Sequence, residues 1–376
     1  MKQIGILLDM NIIRRARQGL QTYERLNYYQ RIGKELGLEP VFFHPQQVNF
    51  LQGSVKGYLL KAGRLVPCKT KIPPVVHNRV LTSKKEVNQL IHLLGRYSQV
   101  YNGVIERNKL LIHQLLWKQP ALRRYLPETK PFSREALHSF LRKYRVIYIK
   151  RVIGYIGHGV IRIERQGNRY LWISSRQRRL VKKETLLENA RKWLGRRPYL
   201  IQRGIPLNTY NGQPFDIRVS VQKNGEGMWN VTGMVAKVAN PQNKLSNLAQ
   251  GGRAVPIDQV LFELFEAEKA KQVKEAISQA SLAITRQCEQ EFPSLADVGL
   301  DVGIDDSGMP YFIELNVRDQ RYSFLLAGEE DVFRNTYRLP LEYAKCLLEG
   351  KVTRAFPATP TLTAEGPAPG GTASRP

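Results

Sequence analysis

The first 43 residues alternate between strand and helix patterns, and this order restricts how the N-terminal part can fold. The segments "KQIGILL" (2–8) and "PVFF" (40–43) are short apolar runs, which are typical of buried strands. Between them, "TYERLNYYQRIGKELGL" (22–38) carries apolar and aromatic residues at helical spacing. A strand–helix–strand unit normally places two parallel strands in one sheet, so the chain is predicted to begin with an α/β domain.

The rest of the chain reads as further strands and helices separated by turn residues. Two prolines in "LPETKPFS" (126–133) interrupt a helical pattern and indicate a domain boundary near residues 105–130. The predicted elements are a hairpin turning at Ala62-Gly63, a strand at 73–80, a helix at 83–97, a helix at 134–144, a strand at 145–150, a hairpin across Gln166-Gly167, a helix at about 183–194, a strand at 198–205, a hairpin across Asn224-Gly225, one or two helices at 257–292, a hairpin across Asp306-Ser307-Gly308 and a helix at about 330–349.

The net charge of +26 is distributed unevenly along the 376 residues. Residues 1–200 contain 40 Lys and Arg residues and 11 Asp and Glu residues, whereas residues 201–376 contain 18 and 21. A positive field of this size attracts polyanions or acidic substrates. The alternative interpretation is a solvated surface in a basic cellular environment, and the sequence leaves both open.

Several classes of protein are disfavoured by simple counts. No apolar run approaches the roughly 18 residues of a membrane-spanning helix, and the N-terminus lacks a signal-peptide pattern, so we expect a cytoplasmic protein without a membrane partner. The three cysteines lie far apart, which argues against a disulfide framework or a zinc site. The six histidines form no metal-binding pair, and each is expected to be a surface or core residue.

The hairpin predicted around Asp306-Ser307-Gly308 carries the clearest chemical pattern. Glu314 and Asn316 lie two positions apart on its second strand and therefore point to the same face. Asp301 lies on the first strand, which the turn brings alongside. Carboxylate and amide oxygens suit Mg²⁺, which usually keeps water or phosphate oxygens as its other ligands. The alternative is a polar strand end that binds no metal.

Three other motifs are weaker when each is taken alone. "YIKRVIGYIGHGV" (148–160) places Lys150 before a glycine-rich loop, which could approach phosphate oxygens but has neither a Walker A nor a Rossmann pattern. "PFDIRVSV" (214–221) puts Asp216 and Arg218 on one strand face, where a local ion pair is the plain interpretation. "SNLAQGG" (246–252) could be any polar turn.

The order of these motifs resembles that of the ATP-grasp superfamily of carboxylate–amine ligases. A lysine, a glycine loop, a strand, a DxR motif, an N…GG loop, an aspartate and an ExN motif follow one another in the sequence. The segment "YLIQRGIPLNTYNGQPFDIRVSVQKNGEGMWNVTGMVAKVANP" (199–241) is similar to the YheC/YheD branch, a group of endospore-coat-associated proteins. The resemblance covers roughly residues 75–350, and the N-terminal part fits more loosely.

The resemblance implies which residues would bind the nucleotide ATP. Lys109 corresponds to the first nucleotide-binding lysine, and Lys150 to the second, which reaches the α- and β-phosphates. Residues 202–205, from Gln202 to Ile205, correspond to the hinge that holds adenine. Three residues correspond to the loop that closes over the phosphates: Gly154, Gly157 and Gly159.

The resemblance also implies a catalytic set and a metal-binding set. Arg218 and Lys237 correspond to basic residues near the transferred phosphate, and Asn247, with the glycines at 251 and 252, to the loop beside the acyl phosphate. The implied magnesium ligands are Asp301, Glu314 and Asn316, with Glu314 bridging two ions.

Two positions depart from the family pattern. The glycine loop usually begins Lys-Pro, but here Arg151 follows Lys150. Relatives often carry Pro-Gly three residues after the ExN asparagine, where this chain has Asp319 and Gln320. The second change lies in the loop that faces the acceptor substrate, so the acceptor of other ligases cannot be transferred to this chain.

The implied fold is an ATP-grasp fold of the α/β (α+β) class. We predict an N-terminal α/β domain at 1–105, a central nucleotide-binding subdomain at 106–205 and a C-terminal subdomain with the metal ligands at 206–353, the two subdomains clasping ATP. The Pro- and Gly-rich tail at 354–376 is expected to be disordered.

Three functions remain open from the sequence. The first is an ATP- and Mg²⁺-dependent carboxylate–amine ligase that acts through an acyl phosphate on an acidic small molecule or polymer. The second is a non-catalytic, nucleotide-binding structural protein of the spore coat, with coat proteins as partners and a place at the coat or forespore. The third is a basic polyanion-binding protein; nucleic acid is possible but not favoured, because no known nucleic-acid-binding motif is present.

Overall fold

The computed structural model describes residues 1–82, 84–103, 108–154, 159–174, 177–240 and 251–352. The predicted disordered tail at 354–376 lies outside the described residues. The described chain forms three β-sheets with helices packed on them, which agrees with the predicted α/β character. None of the helices in these ranges is long and apolar enough to cross a membrane.

The first sheet is built by the N-terminal part. Its strands follow the order β3-β4-β2-β1-β6-β7, with β5 paired to β4. The elements are β1 (Lys2–Leu7), α1 (Met10–Arg17), α2 (Leu26–Leu36), β2 (Leu38–Phe43), β3 (Val48–Asn49), β4 (Ser54–Lys61), β5 (Arg64–Lys71), β6 (Val75–Asn78), α3 (Lys85–Leu94) and β7 (Gln99–Tyr101), with a short 3₁₀ turn at Pro45–Gln47.

The strand–helix–strand prediction for this part is confirmed. β1 pairs in parallel with β2 on one side and with β6 on the other, and α2 connects the first two strands. The hairpin at Ala62-Gly63 is also confirmed, because Lys61 faces Arg64 and both turn residues have positive φ angles of 47° and 76°. β1 lies between β2 and β6, so the sheet extends from it in both directions, and in open α/β sheets a crevice is expected at the carboxyl ends of such strands.

The second sheet, in the order β12-β11-β10-β9-β13-β8, is formed by the middle of the chain. The elements are α4 (Lys109–Trp117), a 3₁₀ helix (Pro120–Tyr125), β8 (Thr129–Pro131), α5 (Arg134–Lys143), β9 (Val146–Arg151), β10 (Ile161–Gln166), β11 (Arg169–Ile173), β12 (Arg178–Lys182), α6 (Lys183–Leu194) and β13 (Tyr199–Arg203). Helices α5 and α6 cover one face over a core that includes Phe140, Ile149 and Trp172. The hairpin between β10 and β11 turns one residue later than predicted, because Gln166 pairs with Arg169.

The third sheet has the order β17-β16-β15-β18-β19, with β14 paired to β15. The elements are β14 (Thr209–Tyr210), β15 (Gln213–Lys223), β16 (Trp229–Val238), β17 (Arg253–Pro256), α7 (Ile257–Leu264), α8 (Ala267–Glu291), β18 (Asp297–Ile304), β19 (Pro310–Asn316), α9 (Tyr322–Leu326) and α10 (Glu330–Leu348). The helical pattern at 257–292 is thus two helices. One face of the sheet packs in a core with α7, α8 and α4, and α4 also contacts β8 of the second sheet.

The N-terminal part is joined to the third sheet by a shared core and a buried group of charges. α2 packs against α10, and the hydroxyl of Tyr101 donates a hydrogen bond of 2.8 Å to the carbonyl of Pro340. The Arg79 guanidinium, only 1% exposed, donates to Glu24 at 2.8 Å and to Asp297 at 3.0 Å. It also donates to the backbone carbonyl of Asp319 at 2.8 Å. These contacts fix the N-terminal part against strand β18.

Arg321 completes this buried group from the other side of Asp297. Its Nη2 lies 2.5 Å from the Asp297 carboxylate, and both side chains are almost fully inaccessible to solvent. Burial alone would raise the pKa of Asp297, but Arg321 and Arg79 hold that pKa well below its usual value. Asp297 is therefore ionised in the folded protein and depends on both arginines for compensation.

Replacing Arg79 with methionine tests the importance of this group. The change leaves Glu24 and Asp297 buried with less compensating charge, and we expect the free energy of unfolding to fall by about 3–5 kcal/mol. Urea denaturation followed by circular dichroism measures the change. The matched control is Arg334→Met, whose ion pair with Glu35 is more than one-third exposed, so its loss of stability should be much smaller than that of Arg79→Met. Similar small losses in both variants would contradict the assignment.

Candidate active site

Strand β15 alternates apolar and polar side chains, and its polar face is buried rather than solvent-exposed. Ile217, Val219 and Val221 point into the core of the third sheet. Arg218 and Ser220 alternate with them and are at most 5% exposed. Because buried polar groups require partners, this face must be matched by polar groups on the neighbouring strands. The matching groups come from β16, β18, β19 and the segment that follows β19.

The carboxylate of Asp301 is the meeting point of this polar face. Arg218 Nε donates to its Oδ1 at 2.8 Å, and Lys237 Nζ lies 3.0 Å from the same oxygen. The amide of Asn316 donates to its Oδ2 at 3.3 Å. Although burial alone would raise the pKa of Asp301, Arg218 and Lys237 keep it well below its usual value. The structure therefore brings together four of the predicted site residues.

The local Asp216–Arg218 ion pair is not the main interaction of either residue. Asp216 on β15 pairs in register with Lys237 on β16, and Lys237 Nζ lies 2.6 Å from the Asp216 carboxylate. Arg218 instead forms ion pairs with Asp301 at 2.8 Å and Asp319 at 3.2 Å. The plain interpretation considered one strand alone, whereas cross-strand neighbours lie closer than residues two apart on a pleated strand.

A β-bulge directs Glu314 toward Asp301. Asp301 pairs with Glu314 and Val302 pairs with Phe312, so Ile313 is an extra residue in β19. Strict alternation would place Phe312 and Glu314 on the same face. With the bulge, Phe312 enters the core while Glu314 faces the cleft beside Asp301.

Glu314 forms an ion pair with Lys109 across the cleft. Lys109 is the first residue of α4, whose N-cap is Asn108; the Asn108 side chain accepts hydrogen bonds from the amides of residues 110 and 111. The backbone amide of Lys109 donates to the carbonyl of Val152, at the end of β9, at 3.0 Å. This contact holds the start of α4 beside the strand that carries Lys150.

Asp301, Glu314 and Asn316 offer side-chain oxygen atoms of the kind that Mg²⁺ binds. Within the described ranges, no group of three or more His, Cys, Asp or Glu side chains could hold a metal ion. The set has only two carboxylates, which are register partners, and an amide that contacts one of them. This donor set fits Mg²⁺, which takes oxygen ligands and completes its shell with water or phosphate. It does not fit a softer metal.

Lys150 lies on β9 at the opposite wall of the cleft. Its Nζ donates to the side-chain carbonyl of Gln202 at 2.7 Å, and the Gln202 amide donates to the Thr129 hydroxyl at 2.8 Å. Burial and the nearby charge of Lys109 lower the pKa of Lys150 to about 8. The ammonium group is therefore charged at neutral pH, but it loses its proton more readily than an exposed lysine does.

The remaining predicted residues lie around Lys150 or outside the described ranges. Gly154 and Gly159 flank the undescribed part of the glycine loop, and Gly159 has a φ of 82°, a conformation that favours glycine. Ile205 follows β13, and its carbonyl accepts a hydrogen bond from the amide of Leu207 at 2.9 Å. Gly157 and Asn247 lie outside the described residues.

Asp319 lies in the candidate site, although the sequence motifs marked it only as a departure from the family pattern. Its carboxylate is completely buried, lies 3.2 Å from Arg218 Nη1 and accepts a hydrogen bond from the Ser220 hydroxyl at 2.6 Å. Burial raises the pKa of Asp319 even though Arg218 opposes this effect. Arg218 is thus held by a carboxylate on each side. The only sequence signal for this contact is the acidic residue in place of Pro-Gly.

Arg318 connects the same segment to the crevice of the N-terminal part. Its Nη1 donates to Asp9 at 3.0 Å, just beyond the carboxyl end of β1, and to the Tyr23 hydroxyl at 3.4 Å. Its Nη2 is buried and has no hydrogen-bond partner in the described part of the chain. Burial, together with the charge of Arg79, lowers the pKa of Arg318.

Comparison with known proteins identifies the family of this chain. Residues 98–347 match the YheC/D-like ATP-grasp family. The chain belongs to this family. The endospore coat-associated protein YheD of Bacillus subtilis (strain 168) is 27% identical over 325 residues, which are 83% of this chain and 71% of YheD. The endospore coat-associated protein YheC of the same organism is 23% identical over 287 residues, which are 73% and 78% of the two chains.

Comparison with solved structures also finds a similar fold. The crystal structure of D-cycloserine synthetase DcsG has a TM-score of 0.52 and 10% identity to this chain. The match covers 93% of this chain and all of that one. The predicted ATP-grasp fold and the resemblance to the YheC/YheD branch are therefore confirmed.

Strand β18 contains a glycine, Gly299, that leaves room for the charged side chains of the site. Gly299 pairs with Asn316, and a Cβ added there would lie 2.6 Å from Asp319 Oδ1 and 3.1 Å from Arg218 Cδ. Any side chain at this position would push the two charged partners apart. The site therefore explains the first glycine of the "GLDVG" segment by close approach rather than by a turn.

We expect Gly299→Ala to reduce the free energy of unfolding by about 1–3 kcal/mol, because a rigid buried charge pair must move. The matched control is Gly303→Ala on the same strand. A Cβ there would meet the flexible end of the Leu207 side chain, which can shift, so a loss below about 1 kcal/mol is expected. Chemical denaturation of both variants decides the point, and equal losses would show that Gly299 has no special relation to the charged site.

Proposed function

We propose that this ATP-grasp protein is an ATP- and Mg²⁺-dependent carboxylate–amine ligase that acts through an acyl phosphate. The observation that carries the proposal is the pairing of Asp301 with Glu314 on the wall of a cleft that also contains two lysines, Lys109 and Lys150. A polyphosphate with its metal ion needs oxygen ligands for the cation and cationic side chains for the phosphates, and the cleft offers both.

The nucleotide would be bound between the second and third sheets. Lys150 and Lys109 would contact phosphate oxygens, with Gly154, Gly157 and Gly159 in the loop above them. The hinge from Gln202 to Ile205 would hold the adenine. The Lys150 ammonium, now satisfied by the Gln202 carbonyl, can exchange this neutral partner for a phosphate with little loss.

The residues Asp301, Glu314 and Asn316 would hold Mg²⁺, which supplies neutralisation of phosphate charge when it is bound. The two carboxylates now pair with Lys109, Arg218 and Lys237. Phosphate oxygens would provide these cations with alternative partners. Arg218 remains anchored by Asp319 in that case, so the guanidinium keeps its orientation while its other face contacts the transferred phosphate.

The proposed reaction has two steps. A substrate carboxylate oxygen bonds to the γ-phosphorus, and the bond from that phosphorus to the β-phosphate oxygen breaks, which releases ADP. An amine then attacks the acyl carbon, and inorganic phosphate and a proton leave as the amide forms. Arg218 and Lys237 would stabilise charge on the transferred phosphoryl group, and Asn247 would lie beside the acyl phosphate. The basic N-terminal half and Arg318 favour an acidic substrate.

A second candidate is a nucleotide-binding structural protein of the spore coat. It is favoured by the names of YheD and YheC, both endospore coat-associated proteins, and it would place this chain at the coat or forespore. Both candidates require ATP binding, so binding alone does not separate them. Release of ADP and phosphate in the presence of a panel of acids and amines does, since only the ligase turns ATP over.

The metal assignment predicts that Glu314→Ala removes the Mg²⁺ dependence of ATP binding. We expect the affinity for Mg²⁺-ATP to fall by at least about tenfold, as is typical when a charged partner of a bound ion is lost. Isothermal titration calorimetry with and without Mg²⁺ measures this effect. Glu330→Ala, an exposed change at the start of α10, is the control and should bind as the wild type does. Unchanged binding by Glu314→Ala would exclude this metal site.

The lowered pKa of Lys150 predicts a pH dependence of nucleotide binding. Below pH 8 the ammonium is charged before ATP arrives, whereas above pH 8 binding must take up a proton. The Kd for Mg²⁺-ATP should therefore rise by up to about tenfold per unit as pH increases above 8. Lys150→Arg keeps its charge at pH 9 and should flatten the profile between pH 7 and 9. A profile that is identical in the two proteins would rule out Lys150 as the titrating group.

A further inference from the structure

The central subdomain carries far more positive charge than a nucleotide site uses. Residues 106–205 contain 25 Lys and Arg residues but only 6 Asp and Glu residues. Of these basic side chains, the proposed ATP site uses only those of Lys109 and Lys150. Excess charge of one sign on a single subdomain costs stability through repulsion, and it is expected where an anionic partner compensates it.

Part of this charge surrounds a cavity of about 590 Å³ on the side of the sheet covered by α5 and α6. The cavity lies between the end of α5, the turn that joins β10 to β11, and the junction of β12 with α6. One acidic residue, Glu184, lines it, together with five basic residues: Arg142, Arg165, Arg169, Lys182 and Lys183. This imbalance gives the cavity a positive potential that favours an anion with several charges.

One buried hydrogen-bond donor of the lining has no partner in the described part of the chain, and a helix begins at the same place. Arg165 donates through Nη2 to the carbonyls of Leu141 and Arg142, but its buried Nε has no partner within the described ranges. Helix α6 begins at the cavity, and the Lys182 side chain at its N-cap position makes no capping hydrogen bond. The first amides of a helix need acceptors and favour negative charge, so they add to the effect of the basic side chains.

The cavity is separate from the proposed nucleotide site. Strands β9 and β10 are each six residues long and antiparallel, with the glycine loop at one end and the turn at Gly167 at the other. Six strand residues span about 20 Å, so the two sites lie at opposite ends of the sheet. A ligand in the cavity therefore does not compete with ATP for space.

Strand β12 provides a second feature beside the cavity. It is the terminal strand of the second sheet and, in the described chain, pairs only with β11. Arg178, Arg179 and Leu180 are exposed along it, and the strand ends at Lys182, which lines the cavity. A free strand edge can bind an extended polypeptide by backbone hydrogen bonds. Its arginines would select acidic side chains in that polypeptide.

We propose that the cavity and the β12 edge together form a docking site for an acidic polypeptide segment. Glutamate or aspartate side chains enter the cavity, and the segment extends along Arg178 and Arg179. Single-stranded nucleic acid is the less suitable ligand, because base stacking needs exposed aromatic rings and the one aromatic side chain lining the cavity, Tyr170, is 8% exposed. This site does not depend on whether the protein turns ATP over.

The test measures binding of a fluorescein-labelled octaglutamate peptide by fluorescence anisotropy at low salt. We expect the double charge reversal Lys182→Glu/Lys183→Glu to weaken binding by about tenfold or more, because two cations of the site become anions. Acidic residues are favourable at a helix N-terminus, so this variant should fold, which thermal unfolding by circular dichroism checks. Hydrogen exchange should show that the peptide protects the amides of residues 178–184.

The matched control is Arg196→Glu/Arg197→Glu. Both residues are exposed, the change in net charge is the same, and they follow the C-terminal end of α6, whose 12 residues span about 18 Å. This variant should bind octaglutamate within about threefold of the wild type, through long-range charge alone. Equal weakening by both variants would overturn the proposal, as would absence of peptide binding or of protection at 178–184.

A labelled single-stranded oligonucleotide of eight nucleotides is the competing probe. Tighter binding of the oligonucleotide than of octaglutamate, with loss in Lys182→Glu/Lys183→Glu, would assign the cavity to nucleic acid instead and overturn the proposal. Mg²⁺-ATP calorimetry on the same variants separates the two sites. Loss of peptide binding with unchanged ATP binding supports an independent docking site, and a wild-type protein that binds the peptide but not ATP contradicts only the ligase.

Discussion

The shared carboxylate of Asp301 is the interaction on which the candidate site depends. The strand order places β18 between β15 and β19, so one side chain on β18 can receive Arg218 from one neighbour and Asn316 from the other. Lys237 reaches the same carboxylate from β16, one strand further away. A buried carboxylate is stable only when such donors surround it, and a group held by three strands has little freedom to move. The fixed position of Asp301 in turn defines where Glu314, its register partner, meets the cleft.

A second set of buried charges connects the candidate site to the N-terminal part. Asp319 holds Arg218 through its side chain and receives Arg79 at its backbone carbonyl. Arg79 comes from the carboxyl end of β6, so the position of the first sheet is tied, through one residue, to the arginine of the candidate site. Asp319 is therefore part of the connection between the N-terminal part and the site, and its carboxylate supplies the partner of Arg218 there.

The sequence predicted the elements whose signals are local. The hairpins at Ala62-Gly63 and Asp306-Ser307-Gly308, and the helix at about 183–194, depend on turn residues and periodicity within a few positions, and the structure has all three. Strands β8, β12 and β17 were not predicted, because segments of three to five residues carry too little periodicity and owe their structure to neighbouring strands. The family motifs named the residues around Asp301, but the bulge at Ile313 and the pairing of Arg218 with Asp319 arise from tertiary contacts. No pattern within a single strand specifies them.

The division of charge along the chain reflects how the cleft is assembled. The lysines at 109 and 150 come from the strongly basic half, whereas Asp301 and Glu314 come from the half with a slight excess of acid. The wall with Lys109 and Lys150 has cations but lacks the carboxylates of the candidate site. The other wall has Asp301 and Glu314, but its own cations, Arg218 and Lys237, already pair with Asp301. The Lys109–Glu314 ion pair shows that charges on the two walls compensate each other. Burial and Lys109 lower the pKa of Lys150, and a phosphate placed between the lysines would reverse that effect. These charges are the physical basis on which we propose a polyanion accompanied by a metal ion as the ligand of the cleft.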